Sequence, residues 1–190
     1  MNPMLTPMRI ITSTLFAACV LVVIQAQVAS QPPAFKFPET DSEYTVSFPS
    51  KPTVQPIYTG ETEGLQAELI LAKEGGILRA EFVPLSVEQV RSLLNLTDET
   101  QKALNEHRIK MALEYAKSIG LSRAAAEVED DNRGWCVVVR GYKEIDGIPV
   151  TYETKFYYGK RSVMSLTTAS SSRRYPTPSM SKFYESLKQR

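Results

Sequence analysis

Apolar and polar positions alternate along most of this chain, and the places where the alternation stops mark its elements. Glu43 to Phe48 alternates and ends at Pro49, which predicts a first strand. Thr53 to Tyr58 reads as a weaker strand interrupted by Pro56, followed by a turn from Gly60 to Gly64. Leu65 to Ala72 is a better strand. Gly75-Gly76 then predicts a hairpin turn into Ile77 to Val83, because two glycines readily take positive φ. In that return strand Leu78, Ala80 and Phe82 share one face. Pro84 ends the sheet signal and the period changes. Ser86-Val87-Glu88-Gln89 is a capping box that opens a short helix through Leu94. A longer helix runs from Thr97 or Asp98 to about Ile119, with Leu104, Met111, Ala112, Tyr115 and Ile119 on one side and Gly120 as its stop.

The second half returns to period two. Arg123 to Val128 is a moderate strand and Trp135 to Ile145 a strong one. Asp146-Gly147 carries the chemistry of a type I′ turn. Ile148 to Tyr158 then places Val150, Tyr152, Thr154, Phe156 and Tyr158 on one face. Gly159-Lys160 turns the chain into Arg161 to Ala169, completing a three-strand meander. After a polar loop from Ser170 to Pro178, Ser179 starts a closing helix whose Met180, Phe183 and Leu187 can dock on the sheet. Strands, then helices, then strands joined by tight turns predict an α+β fold, an antiparallel β-sheet flanked by helices. Links this short exclude a parallel doubly wound sheet.

The first thirty residues break the pattern. Arg9 precedes an apolar run from Ile10 to Ile24, and Val28-Ala29-Ser30 offers small residues before Gln31. A positive start, an apolar middle and a small-residue end predict a secretory signal peptide over 1–30, cut after Ser30 or after Ala26. The run is shorter than the roughly 20 residues that span a bilayer, so no stable membrane span is expected after cleavage. Phe16-Ala17-Ala18-Cys19 has the look of a lipoprotein signal, but the apolar run continues past Cys19 where a polar tether is usual. The organisation expected is therefore a signal peptide at 1–30, a proline-bearing extended leader at 31–42 and a single domain at 43–190. The compartment expected is the periplasm or the exterior.

Charge and cysteine narrow the function classes. The chain carries 22 Lys and Arg against 21 Asp and Glu, and only Arg9 lies in the signal. An exported domain that is formally neutral argues against a generic nucleic-acid binder. The charge is uneven, however. Residues 31–139 hold 11 basic and 17 acidic side chains, and residues 140–190 hold 10 and 4. Either the two parts pack together and offset each other, or a basic patch near Arg173-Arg174 docks an anionic partner. Cleavage removes Cys19 and leaves Cys136 alone, so the core rather than a disulfide must hold the fold. Within Trp135-Cys136-Val137-Val138-Val139, Cys136 reads as a buried thiol.

Tyr44-Thr45-Val46-Ser47-Phe48-Pro49-Ser50-Lys51-Pro52 resembles the strand and Phe-Pro-Gly-Lys-Pro opening of small exported bacterial proteins of unknown function, with Ser50 at the usual glycine. The likeness continues through Gly141 to Tyr158 and Val163-Met164-Ser165-Leu166-Thr167. It ends in Lys182-Phe183-Tyr184-Glu185-Ser186-Leu187-Lys188, with Leu187 at the usual Phe. That group is similar to the PsbP-like α+β domain, also found in photosystem II extrinsic subunits and a Ran-binding import factor. The resemblance implies a fold and export, and it supplies no catalytic residues.

The chemistry on offer is sparse. His107 is the only histidine and falls at the margin of the helix stripe, and no nucleophile-elbow glycines surround a serine. One His and one Cys make a poor transition-metal set. Glu127-Val128-Glu129-Asp130-Asp131-Asn132 lacks the EF-hand spacing and glycine, so a solvated loop is expected. Gly75-Gly76 has no phosphate-loop sequence around it. Asn95-Leu96-Thr97 matches the glycosylation pattern. Tyr142, Tyr152, Phe156, Tyr157, Tyr158 and Tyr175 interleave with basic residues and read as strand pairs, or as a stacking face. No catalytic, cofactor or metal residue is expected. Arg173, Arg174 and Tyr175 are the candidate partner contacts. The expected function is a non-enzymatic accessory or binding protein for an envelope protein or small ligand. The alternative is an envelope hydrolase with a carboxylate site not locatable in the sequence.

Overall fold

A computed structural model describes residues 34–39, 42–60, 62–94, 97–131 and 134–190. The expected signal segment with Cys19, the expected cleavage sites, and Asn95 and Leu96 of the glycosylation tripeptide lie outside the described residues.

Among the described residues, ten strands run in the order β1 (Phe35–Phe37), β2 (Tyr44–Phe48), β3 (Thr53–Thr59), β4 (Thr62–Leu71), β5 (Gly76–Pro84), β6 (Ser122–Asp131), β7 (Gly134–Ile145), β8 (Ile148–Tyr158), β9 (Ser162–Ser170) and β10 (Lys188–Gln189). Helices α1 (Val87–Leu94) and α2 (Asp98–Ser118) separate β5 from β6, and α3 (Pro178–Glu185) precedes β10. Seven strands form one antiparallel sheet in the order β3-β4-β5-β9-β8-β7-β6, and three form a second in the order β1-β2-β10.

This overturns the expectation of an α+β fold with an antiparallel β-sheet flanked by helices. The described residues are β-rich, 54% strand to 22% helix. Two causes produce the difference. Some strands extend beyond their expected bounds, β4 back to Thr62 and β6 from Ser122 to Asp131. The chain ends also become strands: Phe35 to Phe37, expected as an extended leader, pairs with β2 on one edge, and Lys188 and Gln189 pair on the other. A short strand has little local signal; these form because β2 presents unpaired N–H and C=O groups on both sides.

The large sheet has two covered faces. On one, Leu78 and Ala80 of β5, Cys136 and Val138 of β7, and Met164 and Leu166 of β9 meet Phe37, Val46 and Phe48 of the small sheet and Phe183 of α3. On the other, Ala112 and Ala116 let α2 approach Val137 and Val139 closely, and Tyr115 sits edge-on to Phe156 at 5.4 Å. The alternation expected for β8 holds, with Phe156 toward α2 and Tyr157 fully buried on the opposite side.

Turns and caps follow their local chemistry. Ser86 and Gln89 form the capping box, Ser86 N donating to Gln89 Oε1 at 2.8 Å and Gln89 N to Ser86 Oγ at 3.2 Å. Thr97 caps α2 through its side chain. Asp146 and Gly147 take φ of 51° and 77°, the left-handed pair a type I′ turn requires. The buried stripe of α2 is rotated from its expected position. Ala112 and Ala116 carry it, while Met111 is 48% exposed and borders a cavity.

Candidate functional site

The cavity lies where α2 leaves the sheet. Small side chains hold the second half of α2 against β7, and the first half passes over the ends of β5, β8 and β9. Helix α1 closes one side. The volume of this open cavity is about 620 Å³, within the range that small-molecule sites occupy. Val83, Pro84 and Leu85 line one wall, Leu104 and Met111 line another, and Val163 lies on the sheet.

The charged groups are few. Arg108 enters from α2, one residue after His107, and Glu88 comes from α1, with Thr59, Thr62 and Gln89 as neutral polar neighbours. The Arg108 guanidinium carbon lies 4.2 Å from the Tyr158 ring centre and 5.0 Å from that of Trp135. Those rings are themselves 6.0 Å apart, so the cation rests against an aromatic pair supplied by β7 and β8. Nη1 reaches Asn105 Oδ1 at 3.5 Å, the outer limit of a hydrogen bond. Among the described residues Arg108 makes no ion pair. A guanidinium carries five N–H donors, so most of its hydrogen-bonding capacity is uncommitted to protein acceptors. Burial lowers its pKa from the ordinary value, with Tyr158 and Tyr44 opposing; it stays charged at any physiological pH. The same burial raises the Tyr158 phenol, with Arg108 opposing.

His107 is exposed beside this cavity, at the edge of the helix stripe as expected. Cys136 is fully buried and forms no disulfide. The residues Glu127 to Asp131, expected as a solvated loop, belong to β6 instead. Arg140 explains why. It holds Glu127 at 2.6 Å and Glu153 at 2.7 Å and also pairs with Glu129, which Lys155 meets at 3.2 Å. Here the basic second half of the chain offsets the acidic first half across neighbouring strands.

Arg173, Arg174 and Tyr175 stay together on the loop before α3, but they differ in character. Arg173 and Arg174 are exposed. Tyr175 is half-buried against the main core, its hydroxyl 2.6 Å from Thr168 Oγ1, and Thr168 in turn lies 3.0 Å from the Tyr184 hydroxyl. Burial pushes both phenols well up. Tyr175 therefore anchors the loop, and the two arginines are what the loop presents.

Arg108 was the residue that sequence reasoning passed over. Its signal was present: it stands four residues after Leu104 and three before Met111, a cation inside an apolar stripe.

No protein-family model matches the chain, and no curated protein does. Among solved structures it is similar to a crystal structure of a protein from Bacteroides thetaiotaomicron VPI-5482, with a TM-score of 0.47 and 11% sequence identity. The match covers 82% of this chain, which spans about half, 48%, of that one.

Proposed function

We propose that this is an exported, non-enzymatic binding protein, periplasmic or secreted, whose ligand occupies the cavity beneath α1 and α2. The observation that carries the reading is an apolar cavity of about 620 Å³ holding a half-buried cation with no carboxylate partner among the described residues. Such a pocket, mostly apolar with a few placed polar groups, is built for capture and orientation. Catalysis would ask for an oriented acid–base pair. His107, the one imidazole, sits exposed at the rim. Export rests on the signal pattern at 1–30.

N-phenyl-1-naphthylamine, a neutral fluorophore that brightens in apolar surroundings, tests the cavity. Saturable single-site binding is expected, and Met111→Trp, a change at a half-exposed position on the cavity wall, should abolish it while leaving the melting temperature close to wild type. Absence of binding, or binding indifferent to that substitution, overturns the reading. Intact mass of the protein recovered outside the cytoplasm should show Gln31 at the N-terminus; a chain retained in the cytoplasm with Met1 intact overturns the export reading.

A further inference from the structure

We propose that the cavity selects a single-headed anionic amphiphile, an oxyanion head held by Arg108 with an apolar tail along the wall of Val83, Leu85, Leu104, Met111 and Val163. This rests on the cavity reading above and goes beyond it in naming the class of ligand. A charge taken partly out of water costs free energy unless something pairs with it. Arg108 has no such protein partner among the described residues, and a ligand oxyanion would supply one.

The neighbours of Arg108 prepare it for that role. Tyr158 and Trp135 contact the guanidinium at 4.2 and 5.0 Å and limit where it can go. An arginine held on aromatic faces keeps its rigid fork of N–H donors for a planar carboxylate or a phosphate. Besides Arg108 and Tyr158, the titratable groups on the cavity wall are Glu88 and His107. Glu88 makes an interaction of its own, and no ion pair joins it to Arg108 among the described residues. His107 is exposed and adds, when protonated, to the same sign of charge. Thr59, Thr62 and Gln89 also line the cavity, and the stretch formed by Val83, Pro84, Leu85, Leu104, Met111 and Val163 is apolar and suits a hydrocarbon chain. The head recognised is a carboxylate or a phosphate monoester, since both fit the same fork.

Trp135 is the only tryptophan in the chain and touches the proposed head site, so its fluorescence reports occupancy. Laurate, dodecyl phosphate, dodecanol and dodecyltrimethylammonium, each below its micelle concentration, are titrated against the full exported protein. Two readouts are followed: Trp135 emission and displacement of N-phenyl-1-naphthylamine. At least one anion should bind about 10- to 100-fold more tightly than dodecanol, the preference expected for charge-assisted hydrogen bonds. Whichever anion wins identifies the head as carboxylate or phosphate. Arg108→Gln should erase most of that preference, read as the ratio of anion to dodecanol affinity in the same variant. Arg108→Lys, which keeps the charge but loses the fork, should retain part of it. If dodecanol binds as tightly as both anions, or both Arg108 variants keep the full preference, the anionic class is wrong while the cavity stands. If the wild type fails to bind the neutral fluorophore, the cavity reading itself falls.

Discussion

Phe183 sits with its ring 4.9 Å from Phe48 and 6.1 Å from Tyr184, at the point where α3 meets the small sheet. It is buried to 1% exposure, so truncation leaves a hole that rigid neighbours fill poorly. Phe183→Ala should lower unfolding stability by about 3–5 kcal/mol, read as a shift in the urea midpoint. A loss below about 1 kcal/mol would mean that this core repacks freely. Phe183 was legible in the sequence as part of an apolar helix face, because helical spacing is local. Arg108 was not read as a site residue. Its meaning depends on Tyr158 and Trp135, which lie far away in the chain and reach it only through the pairing of β7 with β8.

At the scale of the element, α1 is the piece most dependent on its own ends. It has eight residues, too few to be stable alone, and the reciprocal bonds of Ser86 and Gln89 hold its first turn. Ser86→Ala should cost about 1 kcal/mol and speed amide exchange through α1. Because Glu88 and Gln89 wall the cavity, the same substitution should weaken N-phenyl-1-naphthylamine binding. Unchanged exchange and unchanged binding would show that packing alone holds this wall. The capping box, the Thr97 cap and the Asp146-Gly147 turn could be read from sequence since each is settled within a few residues. The rotation of the α2 stripe could not. It comes from Ala112 and Ala116 seating against Val137 and Val139, a choice of small side chains for close approach over larger ones that stay at the margin.

Across the molecule, the two halves of the chain are joined by charge as well as by the core. Burial raises the Glu129 carboxyl, but hydrogen bonds and charge from Arg140 and Lys155 outweigh that and leave it below the ordinary 4.5. A carboxylate with a lowered folded pKa stabilises the fold above its unfolded value and loses that contribution as the pH falls through the folded one. Unfolding stability measured by urea should therefore be level near neutrality and decline below about pH 4.5. Glu129→Gln should lower stability at pH 7 and shallow the acid decline. A variant with the wild-type slope would remove Glu129 from this linkage.

Most strands, the turns and the caps depend on neighbours a few residues apart, so the residue order alone was enough to place them. Which layer covers the sheet was decided by tertiary pairing. Phe35 to Phe37 and the Lys188-Gln189 tail become strands only because β2 offers two open edges, and that turns an expected helix-flanked sheet into a β-rich fold of two sheets. The cavity has the same origin. Its walls come from segments separated by up to about a hundred residues, Thr59 to Val163, and a void between packed elements has no sequence pattern of its own. Local backbone chemistry acts over one turn or one hairpin; burial of a face, or of a charge, is settled by whatever the rest of the chain brings against it.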